Sequence, residues 1–398
     1  MTKKKRKIGI FTGNRAEYSL IQPIINSISK HPSLDYQLYV SGSHLDINFG
    51  YTCKEIINDG FNIYAKIKVK SSKGSILSNS EVIGSIIKSV SKYLNKNKPD
   101  IFVVYADRFE AFAALIAATQ MNIPTIHIEG GDKTQGGCLD DSVRHSMTKL
   151  AHFHFTTNLE ATKRILSLGE EPWRIFTVGL PSNDLIKDKK FATKDEVLKK
   201  FKLDLLRPIL IFTQHSITTQ IGKVKMQITE SIKALRALAN LDYQIIITYP
   251  NNDAGSNIIV KEINKLKKKK INSIQVYKSL GRHMYFGLLA LSYDENSKII
   301  CIGNSSSGIK ETPAFKCPSI NIGNRQDKRL AVKNVINVDY DSKEIIDATK
   351  KIFFDRKIKQ KLKKLKNPYY FGRVGKKVAS IIYNIKLNDK VLNKKITY

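Results

Sequence analysis

Residues 101–107 read Ile-Phe-Val-Val-Tyr-Ala-Asp, an apolar run that ends in a carboxylate. A second run, Pro-Thr-Ile-His-Ile over residues 124–128, is followed by Glu129. Short apolar runs of this kind are typical of strands buried on both faces of a parallel sheet. In an open parallel sheet, ligands bind beyond the carboxyl ends of the strands. The pattern therefore predicts two adjacent parallel strands that direct Asp107 and Glu129 into one crevice, as a candidate acid/base site.

Apolar runs alternate with helical patterns from one end of the chain to the other. Strands are predicted at 7–13, 36–42, 101–107, 124–130, 152–158 and 175–180, and in a second series at 209–215, 243–250, 273–279, 298–304 and 318–323. Apolar residues recur at helical spacing over 17–29, 81–95, 109–121, 159–168, 222–239, 256–270 and 376–390. Such alternation predicts an α/β protein whose parallel sheets are covered by helices on both faces.

Chain length and the position of a charged stretch predict the domain boundaries. The 398 residues exceed what a single hydrophobic core usually supports. The charged stretch 187–200 separates the two series of strands. We expect a Rossmann-like N-terminal domain over 1–190 that carries the acidic groups, and a second Rossmann-like domain over 191–366. A helical segment over 367–398 follows a turn-like stretch and is expected to dock across the domains.

Composition argues against several classes of partner. The chain has a net charge of +32, which would normally suggest nucleic acid or an anionic membrane. Lysine supplies most of that charge, and its densest run, 265–270, ends a predicted helix, where cations offset the helix dipole. No apolar run approaches the roughly 18 residues of a membrane helix. We expect a soluble cytoplasmic protein with neither a nucleic acid nor a membrane as partner.

The residues that usually bind metals are poorly placed to do so. The four cysteines, at 53, 138, 301 and 317, are scattered without zinc or disulfide spacing, and we expect reduced, mostly buried thiols. His152 and His154 alternate along a predicted strand and so lie on one face, where they could chelate a metal. We favour a polar strand face whose hydrogen bonds are satisfied, and we expect neither a metal nor a cofactor.

Two strand-to-helix turns can hold phosphate, although the chain has no G-x-G-x-x-G motif and no P-loop. The first reads Thr-Gly-Asn-Arg-Ala-Glu over 12–17, where Arg15 can bond a phosphate in two places. The second reads Gly-Asn-Ser-Ser-Ser-Gly-Ile-Lys-Glu over 303–311, where small residues would let a diphosphate approach helix N–H groups. A serine N-cap would explain the same residues. One turn in each domain suggests a nucleotide diphosphate compound in the cleft between them, with Glu311 on the ribose hydroxyls.

Read together, these segments resemble the hydrolysing UDP-N-acetylglucosamine 2-epimerases of bacterial sialic and legionaminic acid pathways. The resemblance extends over almost the whole chain and rests on nine short segments: 13–18, 41–45 with 49–52, 107–110, 127–131, 140–145, 214–215, 250–253, 304–309 and 325–326. Each segment is short, but their order and spacing together are specific.

The resemblance implies a two-domain fold of the GT-B type, with the nucleotide on the C-terminal domain and the sugar in the interdomain cleft. It also implies a reaction in which a base removes the sugar C2 proton and UDP leaves from C1. Water then adds to the resulting 2-acetamidoglucal with inversion at C2. The products would be UDP and free N-acetylmannosamine or a related sugar. A homo-oligomer, dimer or tetramer, is expected.

The same resemblance implies roles for particular residues. Asp107, Glu129 and Asp140 match the family's catalytic carboxylates, and His215 would assist diphosphate departure as a cation or proton donor. The residues expected to bind the substrate or its UDP are Arg15, His44, Arg144, Asn304, Ser305, Ser306, Ser307, Gly308, Glu311 and Arg325. Structural roles are the alternative, since Asp140 and Asp141 can cap a helix that begins at Ser142.

Three positions depart from the family pattern, and several functions stay open. The family commonly has Gly at position 106, Pro at 216 and Gly at 328, where this chain has Ala, Ser and Lys. A UDP- or GDP-N,N'-diacetylbacillosamine substrate is an alternative to UDP-N-acetylglucosamine. A non-hydrolysing epimerase, a GT-B glycosyltransferase and a non-catalytic nucleotide-sugar binder are further alternatives.

Overall fold

The computed structural model describes residues 4–47, 50–69, 76–134, 139–251 and 253–398, without the side chains of 76–79, 356 and 359. Phe49, Cys138 and Asn252, which the sequence motifs and the cysteine pattern include, lie outside the described residues. The chain folds into two compact units. The first comprises 1–132, 139–184 and 369–398, and the second comprises 133–138 and 185–368.

A seven-stranded parallel sheet forms the centre of the first unit, in the order β3-β2-β1-β4-β5-β6-β7. The strands are β1 (Arg6–Thr12), β2 (Leu34–Ser41), β3 (Ile63–Ile67), β4 (Ile101–Tyr105), β5 (Thr125–Ile128), β6 (Phe153–Thr156) and β7 (Ile175–Thr177). Its helices are α1 (Arg15–Ser29), α2 (Cys53–Asn58), α3 (Ile76–Lys96), α4 (Phe109–Gln120), α5 (Leu139–Leu150) and α6 (Leu159–Ser167), and α7 (Ser182–Lys187) crosses the boundary between the units.

A six-stranded parallel sheet forms the centre of the second unit, in the order β10-β9-β8-β11-β12-β13. The strands are β8 (Ile209–Thr213), β9 (Gln244–Thr248), β10 (Ile274–Tyr277), β11 (Ile299–Gly303), β12 (Ser319–Ile322) and β13 (Val335–Val338). The helices are α8 (Lys194–Phe201), α9 (Val224–Asn240), α10 (Ser256–Lys268), α11 (Gly281–Ala290), α12 (Ser307–Lys310), α13 (Thr312–Phe315), α14 (Ser342–Phe354) and α15 (Arg356–Lys363).

Strand β4 shows why the central strands are continuously apolar. Val103 and Tyr105 pack into the core on one face of the sheet, and Phe102 and Val104 pack into the core on the other face. All of these side chains are at most 1% exposed. Burying each one contributes about 1.5–3 kcal/mol. A strand covered by helices on both faces therefore needs an apolar side chain at every position, and the predicted α/β fold with two Rossmann-like parallel sheets is confirmed.

The C-terminal segment belongs to the first unit, where α16 (Val374–Asn384) packs against α1 and α17 (Asp389–Leu392) follows. A Cβ atom on Gly375 would lie 2.4 Å from the Pro23 carbonyl oxygen, so the close approach of the two helices requires glycine there. The Asp184 carboxylate accepts hydrogen bonds from the backbone N–H groups of Val374 (2.9 Å) and Gly375 (2.8 Å). That carboxylate caps the start of α16.

Strand order shows which loops lie at the crevice where open α/β sheets bind ligands. In the first sheet the order reverses between β1 and β4, and in the second it reverses between β8 and β11. Open α/β sheets bind ligands in the crevice at this reversal. The loops at the two reversals carry Gly13–Arg15 and Asp107 in the first unit, and His215 and Asn304 in the second. Among the described residues, no helix is long and apolar enough to cross a membrane.

Candidate active site

The carboxyl ends of β4 and β5 lie side by side and both turn sharply. Tyr105 pairs with Ile128 in the parallel register, which confirms the predicted adjacency of the two strands. Ala106 (φ 56°) and Glu129 (φ 69°) then adopt left-handed conformations. Each such residue costs roughly 1–2 kcal/mol when it is not glycine. The two turns leave the strand direction at once and present Asp107 and Glu129 at the edge of the sheet.

A buried histidine holds the first of these turns. His127 Nε2 lies 2.7 Å from the Ala106 carbonyl oxygen, and Nδ1 lies 3.2 Å from Thr148 Oγ1. A carbonyl oxygen can only accept, so Nε2 carries the proton and Nδ1 accepts from Thr148. Burial lowers the pKa of His127 to about 3, so the ring is neutral at physiological pH. His127 was assigned no role from the sequence, because a histidine inside an apolar strand gives no signal of its partner.

Glu129 is 5% exposed and is oriented by a tyrosine at the end of the neighbouring strand. The hydroxyl group of Tyr105 donates a hydrogen bond to Glu129 Oε2. The Glu129 backbone N–H donates to the Phe155 carbonyl oxygen at 2.9 Å. Side chain and backbone of Glu129 are therefore both fixed. Tyr105 was read from the sequence as one more apolar strand residue, and its role was missed.

Arg144 is fully buried and is surrounded by acidic residues. Its guanidinium group forms ion pairs with Asp107 and with Asp141 (2.5 Å), and Nη1 also donates to the Asp132 carbonyl oxygen at 3.0 Å. Burial opposes the charge, but Asp107, Asp132 and Asp141 outweigh it and raise the pKa of Arg144 above its ordinary value. The structure thus places Arg144 where it fixes the carboxylate of Asp107.

Asp140 and Asp141 lie in the first turn of α5, which begins at Leu139 and not at Ser142 as the capping interpretation assumed. Carboxylates in a first turn are stabilised by the helix dipole. Asp141 turns inward to Arg144, whereas Asp140 is half-buried. The two neighbours therefore differ in environment, and Asp140 stays a prediction as the third catalytic carboxylate.

Two further predicted ligands flank the Gly13 turn, and they differ in accessibility. Arg15 is partly exposed, and its Nε lies 3.1 Å from Glu55 Oε1. His44 is fully buried, with Nε2 at 3.0 Å from Thr12 Oγ1 and Nδ1 at 2.8 Å from Thr52 Oγ1. Burial lowers the pKa of His44 to about 3. Because both ring nitrogens are occupied by threonines, His44 supports the turn and does not present itself to a ligand.

His215 follows β8 in the second unit and is a neutral hydrogen-bond donor. Its Nδ1 accepts from the backbone N–H of Asn251 at 3.1 Å, so the proton lies on Nε2. Burial, and then the neighbouring Arg325 guanidinium group, lower the pKa of His215 to about 3. This environment favours donation by a neutral imidazole, and it disfavours the cation that was one of the two expected forms.

Asn304 holds the ends of β8 and β11 together. Its Oδ1 accepts from the His215 backbone N–H at 2.6 Å, and its Nδ2 donates to the His215 carbonyl oxygen at 2.9 Å. Arg325 and Gln326 donate to the Asn304 carbonyl oxygen at 3.0 and 2.8 Å. Asn304 is fully buried, and its amide braces the loop. Arg325 is partly exposed.

The serine-rich turn after β11 is tightly constrained. Gly303 has φ 129°, and a Cβ atom there would lie 1.9 Å from the Thr213 carbonyl oxygen. Ser305, Ser306 and Ser307 are partly exposed, whereas Gly308 is buried and a Cβ atom on it would lie 2.8 Å from Ser319 Oγ. Close backbone approach therefore requires glycine at position 303, whereas a side chain at position 308 would displace the Ser319 hydroxyl group.

The helix expected after the serine-rich turn is two single turns, α12 and α13, instead of one continuous helix. Pro313 lies in the first turn of α13, where its missing N–H is tolerated. The helix dipole at this turn is therefore the weaker dipole of a short helix. Glu311 links the two helical turns and is 7% exposed.

The pair of alternating histidines has polar partners. His152 Nδ1 lies 2.9 Å from Thr125 Oγ1, and His154 Nε2 lies 2.9 Å from Glu170 Oε2. These contacts agree only in part with a polar strand face whose hydrogen bonds are satisfied, because His154 Nδ1 is buried without a hydrogen-bond partner among the described residues. Within the described ranges, no cluster of three or more His, Cys, Asp or Glu side chains could hold a metal ion.

Two of the three departures from the family pattern share one backbone feature. Ala106 (φ 56°) and Lys328 (φ 63°) are both left-handed, at positions where the family commonly has glycine. Glycine adopts positive φ without steric cost. The resemblance thus predicts glycine where the backbone conformation favours it, and this chain accepts strain at both positions.

Comparison with known proteins places this chain among nucleotide-sugar enzymes. Residues 26–383 match the family described as UDP-N-acetylglucosamine 2-epimerase. A UDP-N,N'-diacetylbacillosamine 2-epimerase (hydrolyzing) from Legionella pneumophila is 32% identical over 389 residues, 98% of each chain. A GDP/UDP-N,N'-diacetylbacillosamine 2-epimerase (hydrolyzing) from Campylobacter jejuni is 33% identical over 84% of each chain.

A solved structure shows the same fold. The crystal structure of UDP-GlcNAc 2-epimerase from Neisseria meningitidis bound to UDP-GlcNAc superimposes with a TM-score of 0.79 at 17% identity. The match covers 96% of this chain and 100% of that one. At this identity the likeness establishes the fold, in agreement with the GT-B-type architecture that the sequence predicted.

The Tyr105 hydroxyl can be tested by removing it. Tyr105→Phe deletes the donor to a buried carboxylate, so the free energy of unfolding at pH 7 should fall by about 1.5–3 kcal/mol, as for a charge-assisted hydrogen bond. Tyr39→Phe is the matched control, since Tyr39 is equally buried but donates to the neutral amide of Gln37 at 3.1 Å. Its loss should be about 0.5–1.5 kcal/mol. Urea unfolding measures both, and equal losses would contradict the proposed role of Tyr105.

Proposed function

The chain belongs to the UDP-N-acetylglucosamine 2-epimerase family, and we propose that it is a hydrolysing 2-epimerase of a UDP-2-acetamido sugar. UDP-N-acetylglucosamine is the first substrate to test, with UDP and free N-acetylmannosamine as products, in the biosynthesis of a sialic-type acid. The observation that carries this proposal is the group of fixed acids at the ends of β4 and β5. A C2 proton beside an acetamido group is weakly acidic, and its removal needs a positioned, desolvated base.

The proposed reaction assigns chemistry to the first unit. A carboxylate among Asp107, Glu129 and Asp140 takes the C2 proton, and the C1–O bond breaks with its electron pair leaving on UDP. The glycal then accepts a hydroxyl group from water at C1 and a proton at C2 from the opposite face. One group must donate a proton to C2, and another must accept the proton of the attacking water. The reaction therefore needs more than one carboxylate. Arg144 and Tyr105 hold two of these acids in place.

The second unit is assigned the nucleotide. Ser305, Ser306 and Ser307, which are partly exposed as residues, are assigned the diphosphate, although the Ser307 hydroxyl oxygen itself is buried. Glu311 is assigned the ribose hydroxyls. His215 Nε2–H donates to the departing diphosphate as a neutral imidazole, as its bond to Asn251 supports. Arg325 and, from the first unit, Arg15 supply the positive charge that such a leaving group needs.

UDP-N,N'-diacetylbacillosamine is the second candidate substrate. The match to the Legionella pneumophila protein over 98% of both chains favours it, and a GDP-linked sugar stays open through the Campylobacter jejuni relative. We extend the proposal to a cytoplasmic dimer or tetramer. Cys53, Cys301 and Cys317 are buried free thiols, which suits a reducing compartment. Sedimentation of the purified protein tests the oligomeric state.

Incubation with each nucleotide sugar in deuterated water tests the reaction. We expect released UDP and a free sugar of inverted C2 configuration that carries deuterium at C2, because the proton returned there comes from exchangeable groups. NMR of the products reads the configuration, the label and the preferred sugar in one experiment. A C2-inverted sugar without deuterium contradicts the elimination route, and a UDP-linked product identifies a non-hydrolysing epimerase.

The three carboxylates are tested one at a time. Asp107→Asn, Glu129→Gln and Asp140→Asn should each lower kcat by about two to four orders of magnitude, the usual effect of a lost general acid or base. Glu160→Gln in the same unit is the control, because Glu160 is exposed and contacts Lys163 at 3.4 Å. If a variant keeps a near-normal kcat and an unchanged Tm, the residue that it replaces has been assigned the wrong role.

Calorimetric titration of UDP tests the nucleotide site. Glu311→Ala should weaken UDP binding by about 1.5–3 kcal/mol, as for a charge-assisted hydrogen bond to the ribose. Glu295→Ala is the control in the same unit, because its exposed carboxylate pairs with Lys363 at 2.8 Å. Equal affinities for UDP in the two variants would show that the nucleotide does not bind at the serine-rich turn.

A further inference from the structure

The first turn of α1 contains a buried glutamate that the proposed mechanism does not use. Glu17 is 4% exposed, and its Oε2 accepts from the Gly13 backbone N–H at 2.7 Å. The Glu17 backbone N–H in return donates to Asn14 Oδ1 at 3.0 Å. This reciprocal pair of bonds fixes the backbone from Gly13 to Arg15, the segment that presents Arg15.

A second buried glutamate approaches the same glycine. A Cβ atom on Gly13 would lie 2.9 Å from Glu110 Cβ and 3.5 Å from Glu17 Oε2, so both side chains pack against this one position. Glu110 is also 4% exposed, and its carboxylate faces Arg108 Nε at 3.3 Å. Two buried acidic side chains therefore pack against Gly13, close enough for the Glu110 charge to act on Glu17.

The charges around Glu17 do not balance if both glutamates are ionised. The pKa of Glu17 is influenced by three neighbouring charges: Glu110 of α4, and Asp107 and Arg108 of the β4–α4 loop. Arg108 is engaged by Glu110, and Asp107 is engaged by Arg144. His44, on the segment after β2, is neutral, since burial lowers its pKa to about 3.

The hydrogen bonds of Glu17 also favour a protonated carboxyl group. Among the described residues, Glu17 Oε1 has no hydrogen-bond partner. No donor stabilises a negative charge on that oxygen, so the neutral acid is favoured. Burial, followed by the Glu110 carboxylate, raises the pKa of Glu17 to about 8. Like-charged carboxyl groups held together in this way commonly keep one proton.

We propose that Glu17 and Glu110 share one proton, and that this neutral acid and its partner position the Gly13–Arg15 turn for substrate binding. The inference rests on the proposed function only in its last step, the use of Arg15. Both are positioning residues, because they act through the turn. Loss of the proton places two repelling charges beneath Gly13 and displaces Arg15.

Linkage gives a test that does not depend on activity. The pKa of Glu17 is higher in the folded protein than in the unfolded chain, so its contribution to stability is complete below about pH 4.5 and is lost as pH rises to about 8. Glu17→Gln removes the titration but keeps the acceptor for Gly13. Its Tm relative to the wild type should therefore rise between pH 5 and 8 and level off above pH 8.

The control for this measurement is Glu160→Gln, whose Tm difference from the wild type should stay flat over the same pH range. A flat difference for Glu17→Gln as well would overturn the shared proton. If the wild type turns over no nucleotide sugar but the Tm difference rises as expected, the proposed function fails and the carboxyl pair stands.

Kinetics test the positioning step. The wild type should lose kcat/KM for the UDP sugar above about pH 8, and Glu17→Gln should keep its kcat/KM there, with activity at pH 7 within about threefold of the wild type. An identical alkaline limb in the two proteins would overturn the positioning role. If Glu17→Gln does not fold, Glu110→Gln serves instead. Glu110→Gln removes the second charge, so ionisation of Glu17 no longer places two repelling charges beneath Gly13. The alkaline limb should therefore disappear, and an unchanged limb overturns the pair.

Discussion

Most of the acidic site depends on one buried cation. Arg144 is fully buried, yet its guanidinium group binds Asp107 and Asp141 directly and has Asp132 beside it. An unpaired charge at this depth would cost several kcal/mol, and so would the carboxylates without it. Arg144 thereby allows acids to be concentrated at the ends of β4 and β5. Among the described residues, this network also leaves the Glu17–Glu110 pair without a cation beyond Arg108, which is why a proton is the remaining way to balance it.

The histidines of the candidate site are neutral rings that are held in place by hydrogen bonds. His44, His127 and His215 each have a pKa lowered to about 3 by burial, and each has at least one nitrogen fixed by a neighbouring group. A buried imidazole that stays neutral can be a donor at one nitrogen and an acceptor at the other. That property suits His127, which holds the carbonyl group of the left-handed Ala106, and it suits the role of neutral donor that we propose for His215.

The fold and the acidic strand ends could be predicted from the sequence, because continuous apolar runs report strands buried on both faces. The edge strands β3 and β13 were missed, since both are partly exposed and carry a mixed pattern. Partners across the sheet were also missed. Tyr105 and His127 look like ordinary strand residues, and their bonds to Glu129 and Ala106 depend on register. His44 and Asn304 were expected at the ligand because burial and bonding cannot be seen in a motif.

In the proposed reaction, the neutral state of His215 shifts the charge for diphosphate departure to other residues. With its pKa lowered to about 3 by burial and by Arg325, the ring can donate one hydrogen bond but adds no net charge. We assign the positive charge to arginine, which stays protonated in any environment of this kind. Arg325 is fixed by the Asn304 carbonyl oxygen, and Arg15 is carried by the Gly13 turn. The state of the buried acids beneath that turn therefore bears on the position of Arg15, to which we assign part of this charge.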